Sequence, residues 1–220
     1  MNNIIVIAPH PDDETLGCGG TLLRERKFGS RIHWINITCI SETYGWKKDE
    51  IITRKKEIKA VSKKYKFNSN YNLDFPTTKL DIIPLIEIIE KISNLFNRIK
   101  PNIVYIPHPF DIHTDHQITA KASIACTKWF RFPFIKRCLA YETLSETHWS
   151  QSQNIFKPNV YVDISKFLEK KIEIMNIYKS EIKKYPFPRS EKTIRSLASF
   201  RGSMSGFKAA ESFELIFERL

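Results

Sequence analysis

Residues 4–8, Ile-Ile-Val-Ile-Ala, are apolar at every position and mostly β-branched. A strand with one wet face alternates polar and apolar residues. A strand with no polar position must be covered on both faces, as in a parallel sheet flanked by helices. The run ends at once in Pro9-His10-Pro11-Asp12-Asp13-Glu14. The chain is therefore committed early to a layered α/β arrangement, with a polar loop at the carboxyl end of its first strand.

The rest of the pattern agrees. Gly17, Gly19 and Gly20 precede a short helix predicted over 21–27, and residues 31–38 alternate with the period of a strand, completing a β-α-β unit. Residues 49–65 read as an amphipathic helix with a basic outer face. Asp81 is the expected N-cap of a helix carrying Ile82, Leu85, Ile86, Ile89, Ile92 and Phe96, with Pro84 tolerated in its first turn and Pro101 ending it. Ile103–Ile106 is the next strand, and a polar loop runs on through His108 to His116. Residues 117–130 read as helix and 139–143 and 160–164 as strands, with Ser165 capping a helix that reaches about Lys184. This alternation indicates a three-layer, Rossmann-like α/β domain over residues 1–220 with a mostly parallel sheet. Pro186 and Pro188 mark a boundary, beyond which residues 186–220 read as a C-terminal appendage of the same domain. In such sheets ligands bind beyond the carboxyl ends of the strands.

An apolar fraction of 42% with 12% aromatic residues belongs to a globular chain and excludes wholesale disorder. No stretch of eighteen apolar residues offers a membrane span, and the first residues lack the basic n-region of a secretion signal, so a cytoplasmic protein is expected. The cysteines at 18, 39, 126 and 138 form no C-x-x-C pair, which excludes a zinc ribbon or a redox motif. The net charge of +11 attracts anions and is compatible with peripheral contact at an anionic membrane surface. Much of it lies on the lysines of one helical face, and no nucleic-acid-binding motif accompanies it, so nucleic acid is not expected as a partner. None of these features sets an oligomeric state.

Two segments carry chemistry: Pro9–Glu14 after the first strand, and Asp111-Ile112-His113-Thr114-Asp115-His116 after a later one. A catalytic zinc takes three His or carboxylate ligands and keeps a fourth position open. Of the adjacent Asp12 and Asp13, one carboxylate can bind metal while the other accepts a proton. His113 and His116 can divide in the same way, with Asp115 orienting an imidazole and favouring its charged form. A nucleotide-binding turn is a poorer reading of Gly17-x-Gly19-Gly20, because the spacing departs from G-x-G-x-x-G and the preceding acids repel phosphate.

The stretch Ala8-Pro9-His10-Pro11-Asp12-Asp13-Glu14-Thr15-Leu16-Gly17-Cys18-Gly19-Gly20-Thr21, together with His113-Thr114-Asp115-His116, resembles the LmbE/PIG-L family of zinc-dependent N-acetylglucosaminyl deacetylases. Thr114 departs from the proline frequent there. The resemblance implies Zn2+, or another divalent metal such as Fe2+, on His10, Asp13 and His116. It makes Asp12 the general base and His113 the oxyanion stabiliser or acid, supported by Asp115. It further implies a substrate-contacting Arg54, and Arg201 with Glu211 either at the far wall of the pocket or in intramolecular ion pairs. The expected substrate is an N-acetylated sugar or glycoconjugate, on which Trp46 of the loop 41–46 could stack. The alternative is a metal-dependent amidase acting on a non-sugar N-acyl compound or a thiol conjugate.

Overall fold

The computed structural model describes residues 1–149 and 153–220. In chain order the main elements are β1 (Asn3–Ala8), α1 (Asp13–Lys27), β2 (Arg31–Cys39), α2 (Lys48–Tyr65), β3 (Ser69–Pro76), α3 (Leu85–Ile99), β4 (Ile103–Pro107), α4 (Thr114–Ala125), β5 (Arg137–Tyr141), β6 (Val160–Asp163), α5 (Leu168–Met175), α6 (Glu191–Ser205) and β7 (Ala210–Glu218). The opening apolar run behaves as its composition demands. Ile4, Val6 and Ala8 pack on one face of the sheet with Trp34, Tyr65, Tyr141 and Phe213, while Ile5 and Ile7 pack on the other with Ile35, Phe96 and Ile106. Both faces of β1 are thus dry.

The strand order is β3-β2-β1-β4-β5-β7-β6. The pairs from β3 to β5 are parallel, whereas β7 runs antiparallel to both β5 and β6. The chain winds outward from β1 through β2 to β3, then returns to place β4 on the other side of β1. The adjacent carboxyl ends of β1 and β4 therefore form a topological switch point, where the loops leaving the two strands diverge and open a crevice.

Several sequence expectations need correction. Residues 186–220 are no appendage, since they supply α6 and β7, and β7 is an interior strand whose Phe213 stacks near Tyr105 with ring centroids 5.2 Å apart. Asp81 caps no α-helix: it lies in a short 3-10 turn, Leu80–Ile82, and α3 begins after Pro84, which has no N–H to give. The helix expected to run from Ser165 to Lys184 is only α5. Past Met175 the chain is drawn toward α2, where Glu57 accepts the Lys179 N–H at 3.0 Å. β3 is an edge strand that the sequence reading left unassigned.

The helix expected at 21–27 in fact starts at Asp13 and is kinked at Cys18. Its glycines serve close packing. A Cβ on Gly17 would lie 2.1 Å from the Tyr141 ring, and one on Gly20 would lie 2.7 Å from Ile164. The kink frees backbone groups that must find partners. Glu211 of β7 accepts from Gly20 N at 2.8 Å and Thr21 N at 2.7 Å, and Lys171 of α5 donates to Leu16 O at 2.8 Å and to Glu211 at 2.7 Å. Glu211 thus belongs to an internal ion pair that holds the kink, which is the second of its two sequence readings. Because the pair is buried, Lys171→Met should lower the unfolding free energy by about 3–5 kcal/mol, measured by urea denaturation. A loss below about 1 kcal/mol would mean that the kink needs no such support.

Candidate metal centre and catalytic pocket

The loop after β1 is held rigidly. Pro9 O accepts from both Thr38 N and Thr38 Oγ1, at 3.0 and 2.8 Å, and Pro11 O accepts from Arg54 at 2.9 Å. Asp12 has φ 135°, a conformation that L-residues rarely adopt. Two flanking contacts maintain it. Its carbonyl accepts from Thr15 N and Leu16 N, starting α1, and its N–H donates to the fully buried Glu14 carboxylate at 3.0 Å. Glu14 also accepts from Thr15 Oγ1 and from Tyr178 OH, and burial pushes its pKa up to about 7 against those bonds. The third acid of the Asp-Asp-Glu run is therefore a backbone brace.

The second loop leaves β4 and enters α4 at His113, the N-cap residue. The rings of His10, His113 and His116 cluster with centroids 4.7–5.4 Å apart. His10 Nδ1 and His116 Nε2 face the same oxygen, Asp13 Oδ2, at 3.5 and 3.3 Å. Each ring has its remote nitrogen on a second carboxylate: His10 Nε2 on Asp115 at 2.9 Å, and His116 Nδ1 on Asp111 at 2.8 Å. Burial alone would strip the charge from both imidazoles, but the carboxylates outweigh it. Asp115 and Asp13 raise the His10 pKa to about 9, and Asp13 and Asp111 raise that of His116 to about 10.

The donor set fits a divalent metal. One nitrogen from each of His10 and His116 and one Asp13 oxygen lie within 4.8 Å of one another. The carboxylates around them call for positive charge, which protonated imidazoles supply and which a divalent ion could supply through the same nitrogens as their protons leave. A second geometric grouping, His10 with His113 and Asp115, is less apt. Asp115 already accepts from Thr78 N at 2.7 Å and Leu80 N at 3.1 Å as well as from His10.

That commitment leaves Asp115 with only a secondary hold on His113. The Asp115 carboxylate orients His10, and only its backbone N–H reaches His113, donating to Nδ1 at 3.1 Å. Burial, reinforced by the neighbouring His10 and His116, lowers the His113 pKa to about 4. With Nδ1 accepting, the proton of a neutral His113 sits on Nε2. The ring can donate a hydrogen bond without being charged.

Beside the cluster lies a cavity of about 220 Å³. His113, Asp12, Trp46 and Arg54 line it, so the structure brings these expected residues together. Arg54 is tied to Pro11, Ser180, Glu57 and Glu181. Arg201 does not line this cavity; it is buried in a two-pronged pair with Glu142, at 2.9 and 2.6 Å. The other histidines lie elsewhere: His33 bonds Ser69 and Asn3, His148 bonds Glu142, and His108 sits with Nε2 3.4 Å from Glu214 and Nδ1 3.6 Å from Asp111.

Two contributors receive no role from the sequence. Asp111 left a signal, as the first residue of the second polar segment, five residues before His116. Arg189 left none. It donates to Asp12 Oδ2 at 2.9 Å from a position 177 residues away. Burial, opposed by the Arg189 guanidinium, raises the Asp12 pKa to about 8.

With this geometry in view, comparison with known proteins is decisive for ancestry. The model of the family described as PIG-L, GlcNAc-PI de-N-acetylase, matches residues 5–127, more than half of the chain. The chain belongs to the PIG-L family. Among its relatives, the diacetylchitobiose deacetylase of Thermococcus kodakarensis is 25% identical over 228 residues, covering 98% of this chain and 84% of that protein. The uncharacterized deacetylase YaiS of Escherichia coli is 33% identical over 150 residues, 64% of this chain and 74% of that one. The crystal structure of the conserved protein TT1542 from Thermus thermophilus superposes with a TM-score of 0.78 at 26% identity, covering 100% and 97% of the two chains. Membership of the PIG-L family makes this chain an N-deacetylase, a hydrolytic enzyme.

Proposed function

We propose that this PIG-L enzyme hydrolyses the N-acetyl group of an amino sugar or glycoconjugate, with zinc held by His10, Asp13 and His116 and with Asp12 as the general base. The observation that carries this reading is the paired arrangement of histidines. Each imidazole is fixed by a carboxylate at its remote nitrogen and turned toward Asp13 with the other, the support that metal-ligating histidines need. A divalent ion supplies Lewis-acid polarisation of water and of the amide carbonyl.

The remaining roles fall to the chain's own side chains. Asp12, whose proton affinity burial raises, accepts the proton of the attacking water and can return it to the departing amine. His113 donates from Nε2 to the carbonyl oxygen as negative charge develops there. The cavity suits a sugar. Asn36, Thr38, Asn72 and Thr77 offer polar groups along its wall, and Asn36 Oδ1 is buried without a partner among the described residues. Trp46 supplies an aromatic face at 39% exposure.

The direct test is acetate release by zinc-loaded protein from N-acetylglucosamine, N,N'-diacetylchitobiose, an N-acetylated glycolipid headgroup and N-acetyl amino acids. Turnover of the sugars over the amino acids is expected. Turnover of the amino acids alone would transfer the same machinery to the non-sugar amidase reading.

The carboxylate supports make a separate prediction. Asp111→Asn should weaken zinc binding by about 10–100-fold while the protein stays folded, because the amide no longer holds His116 Nδ1–H as strongly. Competition with a chelator measures it. An unchanged affinity would mean that His116 needs no carboxylate behind it.

A further inference from the structure

We infer that Arg189 is a positioning residue for the reaction, fixing which oxygen of Asp12 is presented for proton transfer; this rests on the assignment of Asp12 as the base. The Asp12 carboxylate accepts one hydrogen bond among the described residues, and that bond comes from Arg189 Nη1 to Oδ2 at 2.9 Å. Oδ1 has no such partner among them. A carboxylate held by one oxygen cannot rotate freely about its last bond, so the other oxygen keeps a defined direction.

The guanidinium is itself immobilised. Nη1 also donates to Glu181 Oε2 at 3.0 Å, Nη2 donates to Glu146 Oε1 at 3.3 Å, and Nε donates to Ser145 Oγ at 2.9 Å. These partners come from the turn after β5 and from the segment between α5 and α6, so each of the three guanidinium nitrogens is used. Only a planar fork can meet carboxylates and a hydroxyl in several directions at once. A lysine ammonium would keep the charge and lose the geometry. The backbone behind Arg189 is equally fixed. Ser190, the next residue, is buried and caps α6 through Thr193 N at 3.2 Å, and α6 is anchored farther on by the buried Arg201–Glu142 pair. Helix α6 thus delivers Arg189 into the cavity wall, 177 residues after Asp12 in sequence.

A purely structural tie between these loops would also use such contacts, and the test must separate the two roles. Arg189→Ala and Arg189→Lys are compared with wild type for zinc content, melting temperature, kcat and KM on a substrate that the wild type turns over. The expected result for Arg189→Ala is a loss of about a hundredfold in kcat, with KM within about threefold and one zinc retained. Added guanidinium chloride should restore at least about tenfold of that loss, and sodium chloride at the same ionic strength should not. Arg189→Lys should lose at least about tenfold in kcat despite its charge, and this variant carries the test if the alanine protein does not fold. Either folded, zinc-loaded variant having kcat within about twofold of wild type would overturn the proposal. So would a deficit in folded, zinc-loaded Arg189→Ala that guanidinium leaves untouched. Failure of the deacetylase reading would appear in the wild type itself, whereas failure of this one appears only in the ratio of variant to wild type.

Discussion

Replacing Asp13 by Ala should yield a protein that folds, carries no zinc after purification and releases no acetate above background. Asp13 Oδ2 is the point on which His10 Nδ1 and His116 Nε2 converge, and no other carboxylate oxygen among the described residues meets both rings. Asp111 and Asp115 cannot take its place, because each already holds the far side of an imidazole. Loss of the ion removes several kcal/mol of transition-state stabilisation, on the order of a thousandfold or more in rate. The same substitution has a sign that NMR can read without any assay. Asp13 is among the groups that raise the His116 pKa to about 10, so its removal should bring that value down. Elemental analysis showing one zinc per chain in the variant would remove Asp13 from the ligand set.

Asp12→Asn should do the opposite to metal content and nearly the same to turnover: zinc retained at one per chain, KM little changed, and kcat lower by about 10²–10⁴-fold. The design of the loop makes this substitution clean. Asn has nearly the same shape as Asp, so the backbone at φ 135° gains no further steric strain. Its carbonyl oxygen can still accept from Arg189, which preserves the contact across the cavity. What is lost is the capacity to take a proton. A variant that turns over at the wild-type rate with metal bound would show that another group accepts it.

Much of this was readable before any coordinates. Apolar continuity announces β1, and the two short polar segments after β1 and β4 mark the candidate site, because a buried strand that ends in consecutive acids needs a cation or donors beside it. Long-range pairings were not readable, for a physical reason. Local spacing says what a residue can meet within a turn or a strand, and nothing of what the topology delivers from elsewhere. Arg189 follows Phe187-Pro188 and looks like a loop charge until α6 swings it against Asp12. Glu211 has two readings in the sequence, pocket wall or ion pair, until β7 inserts beside β5 and sets it against Lys171. Arg201 carries the same two readings, and its buried pair with Glu142 decides for the internal one. Asp115 was recognised as a support for histidine, but which histidine it serves depends on how α4 approaches the loop after β1.

The interior position of β7 has a consequence for how the enzyme comes to exist. A ribosome delivers the chain from its amino end, and the histidine-and-acid loops emerge long before residue 210. Yet the carboxylate that stabilises the bend of α1 is Glu211, paired with backbone groups 190 and 191 residues upstream. Contacts of such separation close late, because the intervening chain must already be gathered. The loop of proposed metal ligands at the head of α1 therefore gains this brace only once β7 has been made and has docked. A chain that stopped before β7 would hold all three proposed zinc ligands in its sequence without the Glu211 brace on the helix that follows them.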